Sequence, residues 1–206
     1  MKELTRNQKG SALLVLLVIF LPLLVFSAVC STTVTQSVTV HDVDLQKAIE
    51  IAAKAAAMQV MPESQADGTP QIKTNAAQNV FHKKLADNLG LDEIMMEPFK
   101  GSMVERPDYV LIVYNTKEGY DGVELARKYT FSEGTLNSSA VTPNTPAEIS
   151  ITNNDIYFGS TGAICTTLSE PGIVALVNTK MVRVDGAEPE CIRRWAASKV
   201  VYKTEL

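Results

Sequence analysis

"STTVTQSVTVHDVDLQKAIEIAAKAAAMQV", residues 31–60, decides what kind of molecule this chain makes. Neither Gly nor Pro interrupts it from Ser31 through Met61. Val34, Val38, Leu45, Ile49, Ala52, Ala56 and Val60 recur at spacings of three, four or seven, which is one stripe of a helix. Gln46, Lys47, Glu50 and Lys54 occupy the opposite side, with Glu50 and Lys54 in the favourable i,i+4 order. The β-branched Thr and Val of its first half weaken helix preference, but a helix already running when it reaches Ser31 has no nucleation cost left to meet.

Such a helix does enter from the N-terminal side. No charged side chain occurs from Gly10 to His41, and Ser11–Cys30 is apolar apart from Ser11, Ser27 and Pro22. About 20 residues at 1.5 Å rise cross a hydrocarbon core of roughly 30 Å. The two segments together predict one helix of about 50 residues, roughly 75 Å long. Leu13, Leu16, Leu17, Phe20 and Leu24 are its membrane or helix-packing residues, Pro22 kinks it or frees a carbonyl, and Pro62 ends it. Leu45, Ile49, Ala52 and Ala56 are the packing residues of the spine that follows.

Lys2, Arg6 and Lys9 against Glu3 make the start basic, whereas the first charges beyond the span are Asp42 and Asp44. The positive-inside rule then keeps the N-terminus cytoplasmic and sends the remainder across. Of 19 Lys+Arg, five (Lys2, Arg6, Lys9, Lys47, Lys54) precede Pro62 and leave 14. Of 23 Asp+Glu, four (Glu3, Asp42, Asp44, Glu50) precede it and leave 19, a balance of −5. That excludes a nucleic-acid footprint and a basic stripe for anionic lipid. Cys30, at the outer end of the span, is a small apolar residue or a lipid acceptor. Cys165 and Cys191 are either a disulfide, worth roughly 3 kcal/mol by loop closure, or two separately buried thiols.

Three fates compete for the apolar segment. A cleavable signal has the basic start but a shorter apolar region, and Ala28-Val29-Cys30 is a mediocre site before Ser31. A plain anchor needs nothing more. The third fate is suggested by particular residues: Lys9-Gly10-Ser11-Ala12, Leu21-Pro22, and the Ala-rich run from Leu45 through Ala57. This module, about the first 60 residues, resembles the N-terminal part of the TadE/TadG-like proteins of Flp (Tad) pilus systems. The resemblance implies a pilin-like accessory protein, partnered by the membrane and by other pilin-like or pilus-assembly chains, with prepilin peptidase cleavage between Gly10 and Ser11 in processed members. Those members carry Glu at the fifth mature position, where this chain has Val15. An intramembrane carboxylate there would pair with a neighbour's N-terminal amine. Its absence matches the family's non-processed branch and implies an accessory, membrane-retained part.

After Pro62, "PESQADGTPQ" reads as a loop, and Ala76, Val80, Phe81, Leu85 and Leu89 mark a second, shorter helix capped by Thr74 or Asn75 and stopped by Gly90. The period then turns to β in "YVLIVYN", "ARKYTFSEG", "AEISITNNDIYFG", "PGIVALVNTKMVRVDG" and "WAASKVVYKTEL", with "LNSSAVTPNTPAE" a polar loop between them. The expected fold class is α+β: a long N-terminal helix, a short helix and an antiparallel sheet of four to six strands. The expected division is 1–10 basic leader, 11–30 transmembrane segment, 31–61 helical spine and 62–206 head domain.

Chemistry is sparse. His41 precedes the amphipathic stretch, and His82 lies beside Lys83 and Lys84 on an expected exposed face; neither has metal-ligand spacing or a nucleophile to serve. "GSTG" at 159–162 lacks the pattern of a nucleophile elbow or a phosphate loop. "NNDIYF" lacks calcium-loop spacing, and Asp92/Glu93 and Glu188/Glu190 read as solvated loop charges. Tyr109, Tyr114, Tyr129 and Phe131 are either sheet core or a binding face. Trp195, beside Arg193 and Arg194, seats the last segment or faces a partner. The sequence therefore implies no catalytic residues, metal or cofactor. Three readings stand: a pilin-like structural protein, a membrane-tethered binding domain, and a secreted or lipid-anchored protein cut near Cys30.

Overall fold

The computed structural model describes residues 4–100, 102, 104–116, 124–142, 147–152, 155, 163–182 and 188–200; within the first helix it describes side chains at 14–33 and from Asp44 onward. The chain forms two compact units, Met1–His41 and Asp42–Leu206. The expected boundary at 61/62 falls inside the second of them.

Helix α1 spans Leu4–Ala57 and continues through Pro22. It ends before Pro62 because Met58–Met61 turn into an isolated bridge, Val60 to Ile72, so that Pro62 opens helix α2 (Pro62–Ala66) at the position where a missing N–H costs least. Ser64 fastens this loop: its Oγ donates to the Met61 carbonyl at 2.8 Å and accepts from the Gln71 N–H at 2.9 Å. Helix α3 (Thr74–Leu89) starts at Lys73 without a side-chain cap and stops at Gly90, whose φ of 67° is the left-handed conformation a C-cap glycine supplies at least steric cost.

The strands are β1 (Asp108–Tyr114), β2 (Ala126–Ser132), β3 (Thr135–Val141), β4 (Ala147–Ile151), β5 (Ile164–Leu168), β6 (Gly172–Met181) and β7 (Glu190–Lys199). They make a five-stranded antiparallel sheet ordered β3-β2-β1-β6-β7 and a separate β4-β5 pair. The class is α+β, as the alternating runs implied.

Both faces of the main sheet are covered. On one face Tyr109, Leu111, Val113, Tyr129, Phe131, Ile173, Ala175 and Val177 share a core with Leu45, Ile49, Ala52 and Ala56 of α1 and with Ala77, Phe81 and Leu85 of α3. On the other face Val110, Ile112, Tyr114, Val174 and Leu176 pack with Ile149, Ile151 and Leu168 of the β4-β5 pair. Burial on both sides explains why β1 and β6 read as continuous apolar runs while β2 alternates.

Candidate functional site

Two features stand out as places where this chain could act: the apolar length of α1, and the polar side chains held at the edges of the sheet domain. In the first, Leu14–Thr33 has mean hydropathy 2.8 and none of it is buried. Leu16, Leu17, Phe20 and Leu24 are 55–68% exposed, Val15 54%. The segment is long and apolar enough to cross a membrane, as an anchor or as a signal sequence. Its polar exceptions are locally satisfied. The Thr32 hydroxyl donates to the Ala28 and Val29 carbonyls at 3.1 and 2.9 Å, and Thr33 donates to Val29 at 2.8 Å. A hydroxyl that bonds its own helix backbone exposes no unmet donor to an apolar surround. Gly10 and Ser11 lie within α1; the side chains of Ser11, Leu13 and His41, and the Val34 and Val38 part of the stripe, fall outside those described.

From Asp44 onward α1 is one-sided. Leu45, Ala48, Ile49, Ala52, Ala53 and Ala56 are at most 3% exposed, and Glu50, Ile51 and Lys54 face out. Alanine is the side chain that lets a helix lie close to a layer of β-branched and aromatic residues, and Leu45, Ile49, Ala52 and Ala56 of the expected stripe are among the buried side chains.

The polar groups of the second unit are arranged for holding the fold. Asn115, fully buried after β1, accepts from the Ile72 N–H at 2.8 Å and donates to the Ile72 carbonyl at 3.2 Å and the Glu124 carbonyl at 3.3 Å. It reproduces with a side chain the two bonds of a strand partner. His82 is not the exposed histidine its lysine neighbours imply. It is half-buried, its ring edge-on to Tyr109 and Phe131 at centroid distances of 5.8 and 5.0 Å, with Nδ1 2.9 Å from the Tyr109 hydroxyl. Gln78 Nε2 donates to that hydroxyl at 3.2 Å. Burial lowers the His82 pKa, against the backbone carbonyls of Glu93 and Ile94 and the Asp92 and Glu93 carboxylates, which favour the charged form. Burial likewise raises the Tyr109 pKa. The His82 Nδ1 and Tyr109 hydroxyl thus share a structural hydrogen bond inside the aromatic cluster.

Tyr109, Tyr114, Tyr129 and Phe131 are core residues and form no binding face. Trp195 is 44% exposed, so it does not seat the last segment; Ile192 and Ala196 do. Cys165 on β5 and Cys191 on β7 are free, exposed thiols in separate sheets, which corrects both expectations, a disulfide and two buried thiols. The Asp92 carboxylate holds its own turn: it accepts from the Ile94 and Met95 N–H groups, which lowers its pKa. "GSTG" at 159–162 and most of "NNDIYF" lie outside the described residues.

Open grooves lie among the described residues. One, about 820 Å³, lies between α1 and β7 and is lined by Gln46, Glu50, Lys54, Arg193, Arg194 and Trp195. One of about 390 Å³ carries Lys128 and Glu148, and one of about 410 Å³ carries the Arg106–Glu97 pair and Cys191. Among the described residues no three His, Cys, Asp or Glu come together to hold a metal. No family model, no curated protein and no solved structure matches this chain. Its function must be argued from the helix and the sheet domain themselves.

Proposed function

We propose that this chain is a single-pass membrane protein, N-terminus cytoplasmic, whose α+β head makes it an accessory pilin-like component of a Flp (Tad)-type pilus or its assembly machinery. It acts by helix packing, and no residue is assigned a catalytic role. One observation carries the reading: α1 is uncharged and unburied through Leu14–Thr33, and the same helix supplies Leu45, Ile49, Ala52 and Ala56 to the core of the second unit. A removable signal would have no reason to run unbroken into a domain's core. The basic residues Lys2, Arg6 and Lys9 support the orientation, and the Lys9–Ala12, Leu21-Pro22 and Leu45–Ala57 motifs support the family.

Intact mass of the membrane-extracted chain tests it. A start at Ser11 means that a prepilin peptidase accepts the Gly10 site without a Glu at position 15, and a start at Met1 means an unprocessed accessory anchor. A start at Cys30 or Ser31 overturns the reading. The groove beside Arg193, Arg194 and Trp195 favours a second reading, a tethered binding head. Replacing residues 14–33 with an unrelated apolar span separates the two. The pilin-like protein loses its place in the assembly, whereas a tethered binder is indifferent.

A further inference from the structure

The two edges of the five-stranded sheet are finished differently. At the β7 edge stand Glu190, Arg193, Arg194 and Lys199, and Gln46 of α1 donates from Nε2 to the Trp195 carbonyl at 3.3 Å. Charges and a covering side chain are the usual protection of a sheet edge against another strand. Among the described residues the β3 edge has neither. Thr135–Val141 reads Thr-Leu-Asn-Ser-Ser-Ala-Val, with no charge and no proline, and it runs in unbroken register with β2 from Thr135↔Ser132 to Val141↔Ala126. Every residue except Val141 is exposed, so neither the helices on one face nor the β4-β5 pair on the other covers it.

The backbone directions follow from the turn. Glu133 and Gly134 have φ of 51° and 81° and form a two-residue hairpin loop between Ser132 and Thr135. In such a hairpin the flanking pair exchanges both bonds and the pattern then alternates. Thr135, Asn137, Ser139 and Val141 therefore bond to β2, while Leu136, Ser138 and Ala140 turn their N–H and C=O groups outward.

We propose that β3 is an interface for a second copy of this chain, the two β3 strands pairing antiparallel about a two-fold axis at Ser138. Three features select this occupant. The strand is uncharged, so self-pairing sets no like charges opposite each other. Ser138 is itself an outward-facing residue and the centre of the outward set, so in this register Ser138 meets Ser138 and Leu136 meets Ala140, each a bonded pair. A slip of one residue would set outward groups against inward ones. Finally, the pairing covers apolar surface otherwise left in water. Leu136 is 44% exposed, and the exposed Met95 lies against the same hairpin, its Cε 2.9 Å from where a Cβ on Gly134 would stand. The product is one sheet continuous across both copies, with both helix layers on the same side. The inference rests on the sheet alone and is independent of the pilus assignment.

The test uses the full-length chain in detergent with Cys30, Cys165 and Cys191 replaced by Ser. In the proposed pair, Ser138 Cα atoms lie about 5.5 Å apart, inside the range a disulfide spans, whereas Ser139 Cα atoms lie about 8 Å apart, outside it. Under mild oxidation Ser138→Cys is expected to give a covalent dimer several-fold more abundant than Ser139→Cys does. Ala140→Pro, which removes an outward N–H and leaves the β2 bonds intact, should shift sedimentation from dimer to monomer; Leu136→Lys should do the same if the proline variant fails to fold. Equal cross-linking at 138 and 139, none at either, or a Ser138→Cys adduct with a protein of different mass overturns the proposal.

Discussion

Asn115 and His82 show how much a single side chain decides here. Ile72 has no strand beside it at Asn115, so the carboxamide meets its N–H and C=O in place of a neighbouring backbone. Asn115→Ala leaves both groups buried and unmet. The expected loss is about 2–3 kcal/mol, seen as a lower urea midpoint for the full-length protein in detergent. His82 makes a pH prediction whose sign is fixed by burial. Its folded pKa lies below the ordinary value near 6.5. Its contribution is therefore complete above about pH 6.5 and is lost as pH falls through the folded value. The melting temperature should drop between pH 7.5 and 5, and His82→Phe, which keeps the ring contacts to Tyr109 and Phe131, should flatten that part of the curve. Neither role was legible in the sequence. A histidine beside two lysines suggests solvent, and only the fold brings Tyr109 of β1, whose hydroxyl also accepts from Gln78, to its Nδ1.

At the level of elements, the apolar pattern served well wherever one face or both were buried. The α1 stripe, helix α3 with its Gly90 stop, and strands β1, β2 and β6 follow from apolar spacing because burial imposes it. Strand β3 was hidden in an expected loop because all of its residues but Val141 are exposed, so no alternation marks it. Its one signal was Glu133-Gly134, two residues long, between the β2 run and Thr135. Strand β5 escaped because its one fully buried side chain is Leu168, with Cys165 and Thr167 exposed on the other face. The stripe also ranks substitutions. Ala52→Leu adds volume where there is no space and should cost about 1–3 kcal/mol. Lys54→Leu on the outer face should change stability little, which thermal unfolding of both variants would show. Glu133 holds a positive φ that its side chain disfavours. Glu133→Asn suits that turn and should raise the urea midpoint by an amount equivalent to about 0.5–1 kcal/mol. An unchanged or lower midpoint would count against the turn geometry.

Across the whole molecule, the sheet domain carries one core on each face of its central strands, and the two cores depend on the same pairing. Strand β1 takes β2 on one side and β6 on the other. The β1-β2, β2-β3 and β6-β7 pairs join segments close in the chain, but the β1-β6 pair joins Tyr114 to Gly172. Synthesis must cover the 58 residues from one to the other before that pair can form, roughly 3–12 s at ordinary ribosome speed. During this interval Leu45, Ile49, Ala52 and Ala56 have been made while part of the core they share is missing, since Ile173, Ala175 and Val177 do not yet exist. The domain thus has a vulnerable age as well as a stable structure. A nascent chain arrested at residue 168 should be cut readily within residues 45–57 by a protease, and one released after residue 200 should resist. Any factor that shields an apolar helix face during synthesis would find its substrate in that window and nowhere later.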